Sequence, residues 1–455
     1  MSYDLMIIGG GPAGYLAAER AGHAGLNTIL FEKEYIGGVC LNEGCIPSKA
    51  LLYSAKIYDY AKIGSKYGVN FEGAVLDQEK VIKRKRKVVK TLVSGVTSTL
   101  KRNKVEVIMG EAFIEKKTSD GFNITCNGEK YTGNRLMICT GSIPIMPPIE
   151  GLADAYESGF AMTNREILEL TEVPEKLVVV GGGVIGLEMA SYYNSAGSEV
   201  TIVEMLDRIA GMTDKDISKI LMKGYEKKGI NFNLGSKVVS FGKDSVSFEK
   251  DGQVNELKAD KVLVSIGRKP MTQGIGIENI GVQMTERGAI ITDDTGRTNV
   301  AEVYAAGDVN GKSMLAHTAY REAEVCVNNI LGKKDRMRYQ GVPSVIYTNP
   351  EVASVGETEE TAEQKGIDYE AVNISMRYSG RYIAENEGGD GICKVLIDKD
   401  RRNVIGVSAI SNYSSEFIYG ASFMIETEMT LDDIKEIVFP HPTVTEAIRE
   451  ALFAF

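Results

Sequence analysis

A glycine-rich turn with the spacing Gly-x-Gly-x-x-Gly follows a short apolar segment near the start of the chain. The turn runs from Gly9 through Gly11 to Gly14, and alanines at helical spacing come after it. In such a unit the first glycine makes the tight turn, the second lets a pyrophosphate approach the backbone, and the third lets the helix lie close to the strand. The pattern predicts a dinucleotide-binding strand, turn and helix, with a second strand at residues 28–31 that ends in Glu32.

The same unit occurs again after an apolar strand predicted at residues 177–180. Its turn contains Gly181, Gly183 and Gly186, and the strand predicted at residues 200–203 ends in Glu204. Each of the two acids is placed to accept hydrogen bonds from a ribose. Glu204 would repel a 2′-phosphate, so we expect NAD rather than NADP at the second site. Arg208 is the nearest base that would contradict this, and we interpret it as a surface charge.

Residues 37–52 read GGVCLNEGCIPSKALL and place Cys40 and Cys45 close together in the chain. An uninterrupted helix would point these two side chains roughly 140° apart, whereas a disulfide needs Cα atoms within about 7 Å of each other. The backbone must therefore bend, and we expect Gly44 to take a positive φ there. Pro47 suits the first turn of a helix beginning near residue 46, which places Cys45 at a helix N-terminus, where a thiolate is favoured.

The spacing alone also fits two buried structural cysteines or half of a metal site. A zinc site usually needs Cys-x-x-Cys pairs or further histidines, so we expect no metal, because the other cysteines are scattered singly at Cys126, Cys139, Cys326 and Cys393. No apolar run reaches the roughly 18 residues of a membrane span, and a strand predicted from residue 3 leaves no room for a signal peptide. We therefore expect a cytoplasmic protein, in which a disulfide is more often catalytic than structural.

A dithiol and two dinucleotide sites in one chain indicate a single electron path. Hydride would pass between a nicotinamide and a flavin, and the flavin would exchange two electrons with the cysteine pair. Because that pair follows the first glycine turn closely, we expect FAD in the first site and NAD in the second. The net charge of −10 argues against nucleic acid as a partner, and we interpret the basic cluster at residues 83–90 as a solvated helix face.

Further polar segments fit the two nucleotide sites. Thr140-Gly141-Ser142 closes the first site, and Gly267 has the corresponding position in the second. Asp308, after Gly307, is placed either to accept hydroxyls of a ribityl chain or to cap a turn. A helix is predicted to begin near His317, which we interpret as a structural or cofactor-contacting residue rather than a catalytic one.

From about residue 340 the pattern changes to an α+β arrangement. We predict strands at residues 344–347, 371–375, 392–397 and 404–411, and helices at residues 416–427 and 430–438. The next segment, Phe439-Pro-His441-Pro, is followed by Glu446. Taken alone, His441 would more often be a packed loop residue. Because a dithiol reaction at neutral pH needs a base, we interpret His441 as that base, oriented by Glu446.

Together these motifs resemble the FAD-dependent pyridine nucleotide-disulfide oxidoreductase family, in particular its dihydrolipoamide-oxidising members, nearly from end to end. The resemblance implies an α/β fold with two Rossmann-like dinucleotide-binding domains and a C-terminal α+β interface domain that dimerises. The implied domains are the first part of an FAD-binding domain at residues 1–146, an NAD-binding domain at 147–269, a second part of the FAD or central domain at 270–338, and the interface domain at 339–455.

The resemblance implies oxidation of protein-bound dihydrolipoamide by NAD. Cys40 would exchange with the substrate, and Cys45 would lie against the flavin as a charge-transfer thiolate. His441, held by Glu446, would take the thiol proton from the other subunit of an obligate homodimer. No lipoyl domain precedes the first strand, so the substrate would arrive on another protein, either the E2 component of a 2-oxo acid dehydrogenase or the H protein of the glycine cleavage system.

The remaining site residues are also implied by the resemblance. Lys49 matches the family lysine beside the isoalloxazine, and Glu188 matches the carboxylate paired with it near the nicotinamide; a plain surface lysine is the alternative for Lys49. The further implied contacts to FAD are Pro12, Ala13, Lys33, Val39, Ala112, Met314, Leu315 and Ala316, and those to NAD are Val184, Ile185 and Val238.

The chain departs from the family pattern at two places. Glu43 lies between the cysteines where the family often has a small apolar residue, and we expect it to raise a thiol pKa or shift the redox potential. Phe439-Pro440 replaces the His-Ala that often precedes the catalytic His-Pro.

The alternative functions are a sister reductase resembling glutathione or mercuric reductase, and an FAD-binding scaffold subunit without turnover. Three observations favour dihydrolipoamide oxidation over these alternatives. They are the acid at Glu204, the lack of a terminal cysteine pair, and the presence together of Cys40, Cys45, His441 and Glu446.

Overall fold

A computed structural model describes residues 2–455. Its N-terminal part carries the first glycine-rich turn between a buried strand and a helix. The strands of this part are β1 (Ser2–Tyr3), β2 (Leu5–Ile8), β3 (Thr28–Glu32), β4 (Glu106–Met109), β5 (Ala112–Thr118), β6 (Gly121–Cys126), β7 (Glu129–Gly133), β8 (Leu136–Ile138) and β9 (Ser142–Pro144), and its helices are α1 (Pro12–His23), α2 (Gly38–Glu43), α3 (Cys45–Ile63) and α4 (Gln78–Arg102).

The middle of the chain repeats the arrangement around the second glycine-rich turn. Its helices are α5 (Leu152–Glu157), α6 (Asn164–Ile167), α7 (Val184–Ala196) and α8 (Lys215–Lys227), and its strands are β10 (Ala161–Met162), β11 (Lys176–Val180), β12 (Glu199–Val203), β13 (Asn231–Asn233), β14 (Lys237–Phe241), β15 (Ser245–Lys250), β16 (Gln253–Lys258), β17 (Lys261–Val264) and β18 (Arg268–Pro270).

The rest of the chain first returns to the N-terminal sheet and then forms a sheet of its own. The elements are β19 (Val303–Ala305), α9 (Ala316–Ile330), β20 (Ser344–Ile346), β21 (Glu351–Gly356), α10 (Glu359–Lys365), β22 (Tyr369–Ser375), α11 (Gly380–Glu385), β23 (Ile392–Asp398), β24 (Val404–Ser411), α12 (Ser414–Glu426), α13 (Leu431–Lys435) and α14 (Glu446–Phe453). Short 3-10 helices lie at Gly64–Tyr67, Ile277–Ile280, Asp308–Asn310 and Met376–Tyr378.

Two parallel sheets have the same construction. The order of the first is β19-β8-β2-β3-β4, and the order of the second is β10-β17-β11-β12-β13. In each sheet the strand before the glycine turn, β2 or β11, lies centrally and is buried, as the run of apolar residues predicts for a strand covered on both faces. The C-terminal sheet is antiparallel, with the order β20-β21-β24-β23-β22. The predicted α/β fold class, with a C-terminal α+β part, is confirmed.

The third glycine of each turn lets the helix approach the turn closely. A Cβ on Gly14 would lie 1.7 Å from the carbonyl oxygen of Gly9, and a Cβ on Gly186 would lie 2.2 Å from that of Gly181. Gly9 and Gly181 themselves have φ values of 101° and 104°, which residues other than glycine rarely adopt. The roles that the sequence predicts for the first and third glycines therefore have a direct steric basis at both sites.

Several predicted element boundaries differ from the structure. The strand predicted at residues 371–375 begins earlier, at Tyr369, and the helix predicted at residues 430–438 spans only Leu431–Lys435. Strand β21 and the antiparallel strands β5–β7 and β14–β16 are not predicted from the sequence. These strands owe their place to pairing with each other, so their own sequences contain little that identifies them.

The basic cluster on α4 is a helix face, as predicted, but it is not solvated throughout. The Lys85 side chain is buried, and its ammonium donates to the Leu168 carbonyl and pairs with Glu169. Arg86 pairs with the same carboxylate at the surface, with Nη2 2.9 Å from an oxygen. In the part of the chain that the structure describes, no helix has the length and apolar character needed to cross a membrane.

The close approach of α7 to its turn predicts a large steric cost for Gly186→Ala. The added methyl group would press on the Gly181 carbonyl, so we expect a loss of about 2 kcal/mol or more in the free energy of unfolding and a lower melting temperature. Gly224→Ala in α8 is the control, because nothing lies within 4 Å of its Cβ position and alanine favours a helix by up to about 1 kcal/mol. Equal melting temperatures for the two variants, measured by circular dichroism, would contradict the steric account.

Candidate functional site

The two cysteines lie on successive helices that meet at Gly44. Cys40 belongs to α2, and Cys45 is the first residue of α3, so the prediction that Cys45 lies at a helix N-terminus is confirmed. The prediction of a positive φ at Gly44 is wrong, because this residue has φ −142° and ψ −111°. The chain takes positive φ values earlier, at Gly37 and Gly38, where it turns into α2. The bend between α2 and α3 comes instead from the unusual ψ of Gly44.

The geometry places the thiols of Cys40 and Cys45 in hydrogen-bond contact and makes their ionisation unequal. Cys40 is the donor, and this hydrogen bond together with burial raises the pKa of its thiol far above the usual range. The same bond is the largest influence on Cys45; with the positive charge of Lys49, it outweighs burial and lowers the pKa of Cys45 to about 7. The negative charge of a reduced pair therefore resides on Cys45.

Lys49 connects the dithiol helix with the helix of the second glycine turn. Its ammonium lies 2.9 Å from Oε2 of Glu188 in α7, and Glu188 also accepts a 3.0 Å hydrogen bond from the backbone amide of Tyr347. The Lys49 ammonium lies 4.1 Å from the centroid of the Tyr347 ring. The structure thus brings together the two residues that the resemblance pairs, and an exposed surface position for Lys49 is excluded.

Glu43, between the two cysteines in the chain, pairs with residues of a distant segment. Its carboxylate lies 2.8 Å from Nε of Arg165, and its backbone carbonyl accepts a 2.8 Å hydrogen bond from the side chain of Asn164. The groups that chiefly raise the pKa of Cys40 are Cys45 and, more weakly, Asp308. Glu43 is not one of the main influences on either thiol pKa, and its contacts tie α2 to the residues around α6.

The two acids at the strand ends make the same hydrogen bonds at both nucleotide sites. Oε2 of Glu32 accepts from the Gly10 amide at 2.7 Å, and Oε2 of Glu204 accepts from the Gly182 amide at 2.6 Å. The other oxygen of each carboxylate accepts from backbone amides just after the strand. Nothing lies within 4 Å of a Cβ placed on Gly183, so the backbone is open where a pyrophosphate would approach. These residues fit two dinucleotides.

Around the first site, Asp308 is part of a buried polar group. Ser142 donates a 2.5 Å hydrogen bond to the Asp308 carboxylate, and Arg268 donates to the hydroxyl and the carbonyl of Ser142. Burial raises the pKa of Asp308. Arg268 and Asn164, whose side chains also meet, were missed as site residues. The only sequence signal for Arg268 was its place next to Gly267.

The other residues assigned to the cofactors occupy varied environments. Thr140 bonds the Met271 carbonyl, and His317 near the start of α9 contacts the carbonyl of Pro343, which is consistent with a structural role for that histidine. The backbone carbonyl of Gly267 accepts from the Ile145 amide. Three of these side chains are exposed: Lys33, Val184 and Met314. Three are buried: Ala13, Ala112 and Val238. The others are partly buried: Pro12, Val39, Ile185, Leu315 and Ala316.

The predicted base and its acid form a pair of their own in the C-terminal part. Nδ1 of His441 lies 2.6 Å from Oε1 of Glu446, and Oε2 accepts from the Thr443 amide. Burial acts to raise the pKa of Glu446, but these hydrogen bonds outweigh it and lower the pKa. Since a carboxylate accepts only, Nδ1 is the donor and Nε2 is the proton acceptor.

The single chain does not bring His441 to its own dithiol. The His441 side chain is 76% exposed and its hydrogen bond is to Glu446, and among the described residues it is not one of the main influences on either thiol pKa. The structure therefore unites Cys40, Cys45, Lys49 and Glu188 in one place and His441 with Glu446 in another. Residues 2–455 contain no group of three or more His, Cys, Asp or Glu side chains arranged to hold a metal ion.

Comparison with known proteins gives matches along nearly the whole chain. Residues 3–323 match the family described as pyridine nucleotide-disulphide oxidoreductase, and residues 342–452 match its dimerisation domain. The chain is 40% identical over 460 residues to dihydrolipoyl dehydrogenase from Mycoplasma pneumoniae, covering 100% of this chain and 99% of the relative. It is 37% identical over 462 residues to dihydrolipoyl dehydrogenase from Mycoplasma genitalium, covering 100% of both.

A solved structure with a similar fold is that of the HOCl-induced flavoprotein disulfide reductase RclA from Escherichia coli. It has a TM-score of 0.87 and 26% sequence identity, and the match covers 99% of each chain. A reductase thus shares the fold over almost the whole chain, whereas the relatives with higher sequence identity are dehydrogenases.

The hydrogen bond between the thiols predicts that Cys40 controls the reactivity of Cys45. Cys40→Ala removes the donor, so the pKa of Cys45 should rise from about 7, and its alkylation by iodoacetamide at pH 7 should slow by about tenfold or more. Cys40→Ser is the matched control, because its hydroxyl retains a donor. The rates are measured by mass spectrometry of the peptide that contains Cys45. Equal rates in both variants would show that the Cys40 donor does not set this ionisation.

Proposed function

The chain belongs to the pyridine nucleotide-disulphide oxidoreductase family, and we propose that it oxidises protein-bound dihydrolipoamide to lipoamide with NAD+, through a Cys40–Cys45 disulfide. The family uses FAD and NAD(H). The observation that carries the proposal is the unequal thiol pair, which the Lys49–Glu188 contact ties to the helix of the second glycine turn. The name dihydrolipoyl dehydrogenase, which relatives of 40% and 37% identity carry, supports the choice of dihydrolipoamide as the substrate.

The residues of the first site fit FAD. A Cβ on Gly11 would meet only the Gly38 Cα, at 3.8 Å, so a pyrophosphate can approach the backbone there. The acid at Glu32 and the Ser142–Asp308 contact supply hydroxyl partners. When bound, FAD supplies a two-electron acceptor between the dithiol and the nicotinamide. Lys49, with its ammonium fixed on Glu188, would place a positive charge beside Cys45 and stabilise the thiolate.

The dithiol chemistry follows from the difference between the two sulfurs. In the oxidised enzyme, one thiolate of the substrate attacks the sulfur of Cys40, a mixed disulfide forms, and Cys45 leaves as a thiolate. A thiolate of low pKa is the better leaving group, so the lowered pKa of Cys45 supports this direction of attack. The second substrate thiol then displaces Cys40, which closes the lipoamide ring. Two electrons have passed to the enzyme, whose product is a Cys40 thiol and a Cys45 thiolate.

His441 would take the proton from the substrate thiol. Nδ1 is held by Glu446, which leaves Nε2 to accept the proton and stabilises the imidazolium that results. Because His441 is exposed and bonded within the C-terminal part, we propose that it acts on the dithiol of a partner subunit. The match of residues 342–452 to a dimerisation domain supports a homodimer.

The second site would bind NAD through Glu204. Its carboxylate is fixed by the amides of Gly182 and Leu206, can accept from both ribose hydroxyls, and repels a 2′-phosphate. The lipoyl group would be carried by another protein, either the E2 component of a 2-oxo acid dehydrogenase or the H protein of the glycine cleavage system, in the cytoplasm. The four domains would follow the divisions at residues 146, 269 and 338.

The proposal is tested by a steady-state assay with several substrates in parallel. Dihydrolipoamide, glutathione disulfide and Hg(II) are each combined with NAD(H) and NADP(H), in the direction that each substrate requires. We expect the highest kcat/KM for dihydrolipoamide with NAD+. Faster reduction of glutathione disulfide or Hg(II) would identify a sister reductase, and a protein that binds FAD but turns over none of these substrates would be a scaffold subunit.

The histidine base predicts a selective loss of turnover in His441→Ala. Without a proton acceptor beside the substrate thiol, kcat for dihydrolipoamide oxidation should fall by about 100-fold or more. Glu446→Gln should cause a smaller loss, since the imidazole remains but its charged partner is gone.

The matched control for the acid is Glu450→Gln. Glu450 lies on the same helix, α14, and pairs with Arg449 rather than with the histidine, so its kcat should stay close to that of the unaltered enzyme. Flavin absorbance and gel filtration verify that each variant retains its cofactor and its oligomeric state. Near-normal turnover in His441→Ala would remove this residue from the base role.

A further inference from the structure

We propose that Glu360, from the C-terminal part of the chain, is a specificity-determining residue for the adenosine end of the dinucleotide. It holds Arg208 in an ion pair and so keeps that guanidinium from binding a 2′-phosphate. The inference rests on the proposed assignment of the second site to NAD. It adds a second, more distant control on the choice of coenzyme to the direct repulsion by Glu204.

Arg208 lies in the loop that borders the ribose acceptor. The loop begins at Glu204, whose carboxylate accepts from the Leu206 amide, and it returns to the glycine turn where the amide of Ala210 donates a 2.8 Å hydrogen bond to the Gly182 carbonyl. The Gly182 amide in turn donates to Glu204. Arg208 is therefore fixed between two points that both contact the turn beside the expected adenosine ribose.

A free arginine at this place would favour a phosphorylated ribose. The guanidinium is always charged and binds phosphate oxygens through several parallel N–H donors. In dinucleotide sites of this kind, a nearby arginine is the feature that accommodates a 2′-phosphate. The sequence alone thus offers two opposing signals, an acid that rejects NADP and a base that would attract it.

In the structure the guanidinium of Arg208 already binds a carboxylate. Nη1 of Arg208 lies 2.9 Å from Oε1 and 2.7 Å from Oε2 of Glu360 on α10. Both side chains are largely shielded, with 28% and 32% of their surfaces exposed, so solvent screens this pair less than it would a fully exposed one. Arg208, which we interpret from the sequence as a surface charge, is thus a partly exposed arginine that is already paired with a carboxylate.

A second contact fixes α10 against the same loop. Glu359, the neighbour of Glu360, binds the buried ammonium of Lys394 at 2.5 Å, and Asp214 and Asp216 at the start of α8 bind that ammonium at 2.9 and 2.7 Å. Glu359 of α10 and the two acids at the end of the loop thus share one buried cation. Because breaking such a buried pair is costly, Glu360 stays opposite Arg208.

The test measures nucleotide binding to the FAD-loaded enzyme, with 5′-AMP and 2′,5′-ADP as probes in isothermal titration calorimetry. Glu360→Gln releases Arg208 and should raise the affinity for 2′,5′-ADP, relative to 5′-AMP, by about tenfold. The ratio of kcat/KM for NADP+ and NAD+ should move in the same direction. Glu357→Gln is the matched control, since Glu357 lies just before α10 and pairs with Lys365 instead.

The double variant Arg208→Gln/Glu360→Gln separates the arginine from other effects of removing a carboxylate. Its preference should return to that of the unaltered enzyme. An unchanged ratio in Glu360→Gln, or a gain that persists in the double variant, would overturn the inference and leave the NAD assignment intact. If the unaltered enzyme binds neither probe, both the assignment and the inference are overturned.

Discussion

The buried carboxylate of Glu188 is the point at which three distant segments of the chain meet. It belongs to α7, which follows the second glycine turn, and it binds the ammonium of Lys49 on the dithiol helix and the amide of Tyr347 after β20. An unpaired carboxylate in this position would be costly to bury. The position of the thiols relative to the second nucleotide site therefore depends on this contact. The hydrogen bond from Cys40 and, more weakly, the charge of Lys49 lower the pKa of Cys45, whereas the charge of Glu188 acts to raise it.

The features that the sequence predicts best are those whose physical cause is local. The glycine at the third position of each turn is required because the helix passes over the carbonyl of the first, and this requirement is visible in the spacing alone. Cys45 follows a glycine and precedes a proline, which is enough to predict the start of α3. The pair of His441 and Glu446 is likewise a contact over a few residues around the start of a helix.

The features that sequence reasoning missed depend on contacts between distant residues. Glu43 lies between the two cysteines, but Arg165 and Asn164, which are far away in the chain, determine where it points. Lys85 belongs to a segment with the pattern of a solvated helix face. It is nevertheless buried, because its ammonium contacts the carbonyl of Leu168 and the carboxylate of Glu169. The antiparallel hairpins have no glycine fingerprint, and their strands become recognisable only when they are paired.

The acids at the two nucleotide sites are held in place by the backbone on both oxygens. A carboxylate has about four lone-pair positions, so each one can accept a ribose hydroxyl without giving up the amides it already binds. The side chain has no rotamer freedom left to lose when a dinucleotide arrives, and the usual entropic penalty of ordering a binding residue, about 0.5–1.5 kcal/mol, has already been met during folding. Recognition of the adenosine end is in this sense preorganised at both sites.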